Sequence, residues 1–309
     1  YRESMDRFGT DKPDLRFGLE LHEITPVFAS SAFNIFRKVA EQKGYIGALV
    51  SPQAAAYSRK QLDELNTWIT SLGGGGLAHV KYNAGQFEGG ISKFLSEEAK
   101  QQLQDLLPLE KDALVFIVGD ARREFAQTLL GFLRNRLGTE LALIDQEAHQ
   151  LHWTIEFPLL EFNEEEQRFV ARHHPFTSLK EEDLPLLDSQ PEKARARAYD
   201  LIYNGNEIAG GSIRIHQRKV QEKVFAALNM SPEEAQTKFG FLLEAFDYGA
   251  PPHGGIAFGF DRLIMLLSRS QSIRDVIAFP KTASAVGLME QTPSEVDSRQ
   301  LKELNIKLT

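Results

Sequence analysis

The 309 residues predict an α+β protein: an α/β-layered region followed by an antiparallel sheet with flanking helices. Three observations lead there. From about 23 to 148, helical and extended patterns alternate as they do in layered α/β units. From about 149, extended runs with hairpin turns take over, and helical patterns follow them. Near the end, Gly255-Ile256-Ala257-Phe258-Gly259-Phe260-Asp261-Arg262 runs straight into Leu263-Ile264-Met265-Leu266-Leu267, which reads as a buried strand turning directly into a helix.

In chain order, residues 1–22 hold the turn-rich Gly9-Thr10-Asp11-Lys12-Pro13-Asp14 and a short extended run through Leu15-Arg16-Phe17. Helical patterns follow at 32–36, 58–71, 96–107 and 124–137, with extended ones at 46–50, 78–82 and 113–118. Gly73-Gly74-Gly75-Gly76 is no phosphate loop. No Lys-Ser/Thr follows it, and it ends a helical pattern instead of opening one. Beyond 149, strands are expected at 152–157, 168–172, 200–203 and 207–216, and helices at 218–228 and 232–243.

Length allows about two domains and a sizeable core. No apolar run approaches the roughly 18 residues of a membrane span. The absence of cysteine excludes disulfides and thiolate metal sites and fits a reducing compartment. A net charge of −8 argues against wholesale binding of a phosphate backbone, though not against a local basic surface. The chain opens Tyr1-Arg2-Glu3 without methionine, so a piece of a longer protein is expected.

Arg262 falls in the first turn of the final helix, against the positive end of the macrodipole, at a cost of a few tenths to about 1 kcal/mol. Either an anionic or aromatic partner holds it in place, or the position is merely tolerated. Gly255 and Gly259 interrupt an apolar strand, as glycines do where a ligand or another backbone comes close. Together with the arginine they point to a nucleotide lying on a sheet.

Tyr199-Asp200-Leu201-Ile202-Tyr203-Asn204-Gly205-Asn206-Glu207-Ile208 carries Asn-Gly between two extended runs, the strongest hairpin signal in the chain. A two-residue loop pairs Tyr203 with Asn206 and Ile202 with Glu207. Asp200 and Glu207 then project from one face as diagonal neighbours, about 7–8 Å apart at Cα. Two such carboxylates can share a hard cation, and Mg²⁺ fills the rest of its octahedron with water and phosphate oxygens. Two solvated acids on an open face is an equally weighted alternative. Strict alternation from Glu207 would put Arg214 on the other face, so a bulge at Gly210-Gly211 is expected to bring Glu207 and Arg214 together. A guanidinium held there suits a carboxylate, although an ordinary ion-paired arginine is the commoner outcome for a lone motif. In Arg172-His173-His174-Pro175-Phe176-Thr177 two adjacent histidines cannot chelate one ion from a strand. Substrate contact through His173 is favoured over zinc, and simple packing over both.

These segments together resemble the bacterial-type aspartyl-tRNA synthetases, a class II family, over essentially the whole chain. The likeness is carried by Gly9 to Arg16, Arg172 to Thr177, Asn204 to His216, Lys238 to Ala245, Pro251 to Gly255, the strand-to-helix motif and Ser272 to Thr282. Ala257 and Ala209 stand where glycines are usual, both small replacements. The resemblance implies a class II sheet with flanking helices and makes the strand-to-helix segment motif 3. Glu207, Gly259, Phe260, Asp261 and Arg262 would then bind ATP, Arg262 by stacking on adenine and meeting phosphates. It implies Mg²⁺ on Asp200 and Glu207, and L-aspartate against Arg214 and His173. Glu207 and Arg262 would be catalytic. Residues 1–22 would belong to the catalytic domain, 23–148 to an insertion shared with tRNA-dependent amidotransferase subunits, and 149–309 to the catalytic domain's C-terminal half. Expected partners are ATP, L-aspartate and tRNA(Asp), with tRNA(Asn) left open, in a cytoplasmic homodimer. Motifs 1 and 2 and an anticodon-binding barrel are not among these residues, so the chain alone is expected to be inactive. Two alternatives stand beside this: a non-catalytic tRNA- or protein-binding module, and an amidotransferase subunit.

Overall fold

The structure is a computed structural model that describes residues 1–109 and 112–307. It divides into two compact units, Tyr1–Ala257 and Phe258–Thr309.

The first unit opens with helix α1 (Arg2–Phe8). At seven residues it is too short to show a periodicity, and it was not expected from the sequence. Gly9 ends it in the left-handed region, φ 68°. A five-stranded sheet follows, in the order β1 (His22–Glu23), β2 (Tyr45–Ser51), β5 (Ala113–Asp120), β3 (Ala78–Asn83), β4 (Gln86–Glu88). Every neighbouring pair is antiparallel, so the alternation of helix and strand here builds layers without parallel crossovers. The central strands β2 and β5 are buried nearly throughout because helices cover both faces. On one face Tyr45, Leu49, Leu114 and Phe116 meet α3 (Arg59–Ser71) and α5 (Arg123–Glu140). On the other, Ile46, Val50, Val115 and Ile117 meet α2 (Asn34–Glu41) and α4 (Glu97–Leu106). Ser58 starts α3 with a capping box to Gln61. After α3, Gly73 at φ 88° and the Gly74 N–H to the Ile69 carbonyl make the glycine run a helix terminus, as expected.

Helix α5 also holds the N-terminal segment. The Gly9 and Gly131 backbones touch, and a Cβ at Gly131 would lie 2.4 Å from the Gly9 carbonyl oxygen. Arg134 of α5 is completely buried. Its Nη2 donates to the carbonyls of Asp14 and Phe17, both at 2.9 Å, and its Nε to that of Leu19 at 3.0 Å. The guanidinium lies 4.0 Å from the Phe17 ring centroid and 4.9 Å from that of Phe8. Burial lowers its pKa to about 10, opposed by Asp14 and Glu20, so it stays charged at neutral pH.

A second sheet runs β11 (Gly254–Phe258), β10 (Asn206–Ile213), β9 (Ala198–Tyr203), β6 (Leu151–Ile155). A two-stranded ribbon, β7 (Leu160–Asn163) with β8 (Arg168–Ala171), lies between β6 and β9 in sequence. Helices α6 (Arg218–Ala227) and α7 (Pro232–Asp247) follow β10, with Val224 in the core that includes Phe157 and Ala198. Strand β11 was expected to be buried. It is exposed at every residue, because it is the sheet's edge.

The second unit contains α8 (Phe260–Leu267), a short turn at Ile273–Asp275 capped by Ser272, and α9 (Ser298–Glu303). In α8 the N-cap is Gly259, and Asp261 supplies the first-turn acid that the dipole favours beside Arg262. Among the described residues no helix is long and apolar enough to cross a membrane.

Candidate active site

The β9–β10 hairpin fixes the site. Asn204 and Gly205 have φ of 48° and 77°, the two positive angles that a tight two-residue hairpin turn needs. Asn206 pairs with Tyr203 and Glu207 with Ile202, residue for residue as the Asn-Gly loop requires.

The register then shifts by one between Glu207 and Ala209, so that Gly210 faces Asp200 and Ser212 faces Ala198. A bulge was expected, but at Gly210-Gly211. It falls at Ile208, and the glycines are there for clearance. A Cβ at Gly210 would sit 2.6 Å from Asp200 Oδ1 and 3.2 Å from Glu207 Oε1. One at Gly211 would lie 2.0 Å from the Gly255 carbonyl oxygen. The phase shift has the anticipated effect nonetheless. Asp200, Glu207, Gly210, Ser212 and Arg214 follow on one face. The two carboxylates converge over Gly210. Arg214 is held through its backbone, its N–H donating to the His253 carbonyl at 2.9 Å and its position bridging to Thr177.

Asp200 has its carboxyl pushed up to about 6, first by burial, then by the negative charges of Glu207 and Asp11, with Lys12 opposing. Thr154 of β6 lies directly opposite Asp200 and donates its hydroxyl to the Asp11 carbonyl at 2.6 Å. Asp11, Lys12 and Thr154 were not picked out as site residues. The Asp-Lys-Pro-Asp turn was visible, but nothing local tied it to a hairpin some 190 residues later.

His173 and His174 lie in a bend beyond β8, so strand alternation does not govern them. His174 accepts the Phe176 N–H at Nδ1, 3.2 Å, and serves the turn. The His173 ring meets Phe157 edge-on with centroids 4.7 Å apart. Partial burial and Arg172 lower its pKa, while Asp11, Glu207 and Glu161 pull it upward. A neutral imidazole beside acids can donate one hydrogen bond and accept another. Gly259, Phe260, Asp261 and Arg262 belong to the second unit, and Asp200, Glu207, Arg214 and His173 to the first.

Among the described residues no group of three or more His, Cys, Asp or Glu could hold a metal. The pair Asp200–Glu207 therefore offers a cation two carboxylates and leaves other positions for substrate oxygens and water. That donor set fits Mg²⁺.

Residues 1–283 match the family described as tRNA synthetases class II (D, K and N). The chain belongs to that family. Relatives include the aspartate–tRNA(Asp/Asn) ligase of Caldanaerobacter subterraneus subsp. tengcongensis, 49% identical over 308 residues, covering 100% of this chain and 52% of that protein. The same name is carried by a Heliobacterium modesticaldum protein, 50% identical over 308 residues, covering 100% of this chain and 51% of the relative. The Staphylococcus carnosus aspartate–tRNA ligase is 48% identical over 309 residues, covering 100% of this chain and 52% of its own. The chain thus spans about half the length of the curated relatives it matches. The family match extends over both sides of 23–148, which an amidotransferase subunit sharing only that segment would not explain.

The raised Asp200 carboxyl gives a pH prediction for this class II segment. A cation needs the ionised form, so Mg²⁺ affinity should fall about tenfold per pH unit below about 6 and level off above about 7. Without cation, the folded state holds the Asp200 proton up to about 6 while the unfolded chain releases it near 3.8. Asp200 therefore contributes stability below pH 3.8 that is lost as pH rises through 6. Calorimetric Mg²⁺ titrations at pH 5 and 7.5 test this, with Asp200→Asn as control. Equal affinities at both values would overturn it.

Proposed function

We propose that this chain is the motif 3-bearing half of the catalytic domain of an aspartate–tRNA ligase, with residues 23–148 inserted into it. The observation that supports the reading is the shared sheet face that carries Asp200, Glu207 and Arg214, with the two carboxylates converging over Gly210. In a protein of the relatives' full length, the reaction joins the α-carboxylate of L-aspartate to the α-phosphorus of ATP. Pyrophosphate leaves, and the aspartyl group then passes to the 3′ end of tRNA(Asp).

No side chain need act as a nucleophile, so the protein's task is alignment and charge stabilisation. Asp200 and Glu207 would hold Mg²⁺, which when bound would offset phosphate charge. Arg214 grips the side-chain carboxylate of aspartate with two parallel hydrogen bonds. His173 donates a hydrogen bond to the same substrate. Gly259, Phe260 and Asp261 shape the adenine-binding turn, and Arg262 stacks on the base and meets phosphates. The enzyme acts in the cytoplasm as a homodimer.

Aspartate-dependent exchange of radiolabelled pyrophosphate into ATP tests the proposal. A protein of the relatives' full length carrying this segment should exchange, and the 309-residue chain alone should not. Exchange stimulated by asparagine or lysine in place of aspartate would sink the reading.

A further inference from the structure

The Asp11-Lys12 turn is the least explained charged element on the site's face, and it is fixed there from several sides. Thr154, across from Asp200, binds the Asp11 carbonyl at 2.6 Å. Ser4 Oγ donates to the Thr10 carbonyl at 2.6 Å, and Arg134 Nη2 to the Asp14 carbonyl at 2.9 Å. Pro13 and Asp14 are buried, and Arg16 closes on the Asp14 carboxylate at 2.7 Å. At the hairpin tip, a Cβ on Gly205 would come within 3.0 Å of Asp14 Cβ, so the turn and the hairpin are in contact.

Between these anchors Lys12 alone is exposed. Its ammonium lies within electrostatic reach of Asp200, yet among the described residues it forms no ion pair or side-chain hydrogen bond. A backbone anchored opposite Asp200 that carries an exposed lysine outside any ion pair leaves that cation available to an anion that is not part of the protein. A lysine ammonium suits phosphate as a point charge.

We propose that Lys12 is a phosphate-contacting residue, its ammonium meeting a non-bridging oxygen of ATP held over the Asp200–Glu207 pair. The proposal rests on the ligase reading above. In the step it serves, a bond forms between the aspartate carboxylate oxygen and the α-phosphorus. The bond from that phosphorus to the α,β-bridging oxygen breaks, and its electron pair stays on pyrophosphate. Lys12 keeps its proton throughout and offsets charge that grows on the leaving group.

Lys12→Met and Lys12→Arg in the full-length protein test this. Lys12→Met should lower kcat/KM for ATP at least tenfold, leave KM for aspartate within twofold, and leave thermal stability unchanged. Lys12→Arg should restore most of the loss. A residue that only balances the acids would behave otherwise. Lys12→Met would then keep kcat/KM for ATP within twofold, tighten Mg²⁺ binding and shift the acid limb of the pH profile upward. That outcome overturns the proposal. If the unsubstituted protein shows no exchange, the ligase reading fails separately. Lys12 is then judged by equilibrium ATP binding, where tenfold weakening in Lys12→Met supports it and equal affinity overturns it.

Discussion

Arg214→Lys is expected to lower kcat/KM for aspartate by about 10- to 100-fold while KM for ATP stays within about threefold. The backbone of Arg214 is fixed between Thr177 and His253, and the one-residue shift at Ile208 sets it on the face of Asp200 and Glu207. Its Cα is therefore set at a strand end, on the face that carries the two carboxylates. A guanidinium can give a carboxylate two parallel bonds, and an ammonium cannot reproduce that fork. Losing one charge-assisted bond costs about 1.5–3 kcal/mol, which sets the expected factor. Steady-state exchange kinetics with each substrate varied in turn measure it. Equal losses for both substrates would mean that Arg214 supports the site generally and does not read aspartate.

The largest stability effect is expected at Arg134. Arg134→Met keeps the length of the side chain but leaves the carbonyls of Asp14, Phe17 and Leu19 without their donor. Each buried carbonyl left without its donor costs about 1–3 kcal/mol, and removing the buried cation offsets part of the sum, so a net loss of about 3–5 kcal/mol is expected. Denaturant unfolding should show an unfolding free energy lower by that amount. The substitution should also loosen the Asp11-Lys12 turn, because Asp14 anchors it. A loss below about 1 kcal/mol would show that the contacts of Gly9 with Gly131 and of Asp6 with Gln127 hold the segment without it.

Local signals were readable in the sequence where one short stretch decided the outcome. Asn204-Gly205 set the hairpin register because Asn and Gly accept the two positive φ angles of a tight two-residue turn. The helical pattern starting at Ser58 became α3, and the apolar runs at 46–50 and 113–118 became the central strands. What was not readable depended on partners far away in the chain. Arg134 looks like any polar residue on a helix, and only the carbonyls some 115 to 120 residues earlier make it a core residue. Asp11, Lys12 and Thr154 join the site in the same way. The apolar run at 254–258 suggested burial, but its place at the sheet's edge leaves it exposed. Gly210-Gly211 misled for a different reason. Glycine in a strand signals either a bulge or close approach, and its identity cannot say which.

That glycine pair has a consequence for how the site can vary. Successive strand residues point to opposite faces, so the two missing side chains leave room on opposite sides of the same strand. Gly210 sets how low two acids can settle, and Gly211 sets how near the neighbouring edge can ride. The strand works as a shim of minimum thickness between a pair of carboxylates and an edge strand. Ordinary amino-acid exchange can only thicken it, by one methyl group or more, so drift at these two positions has a single direction, and each side of the strand suffers separately.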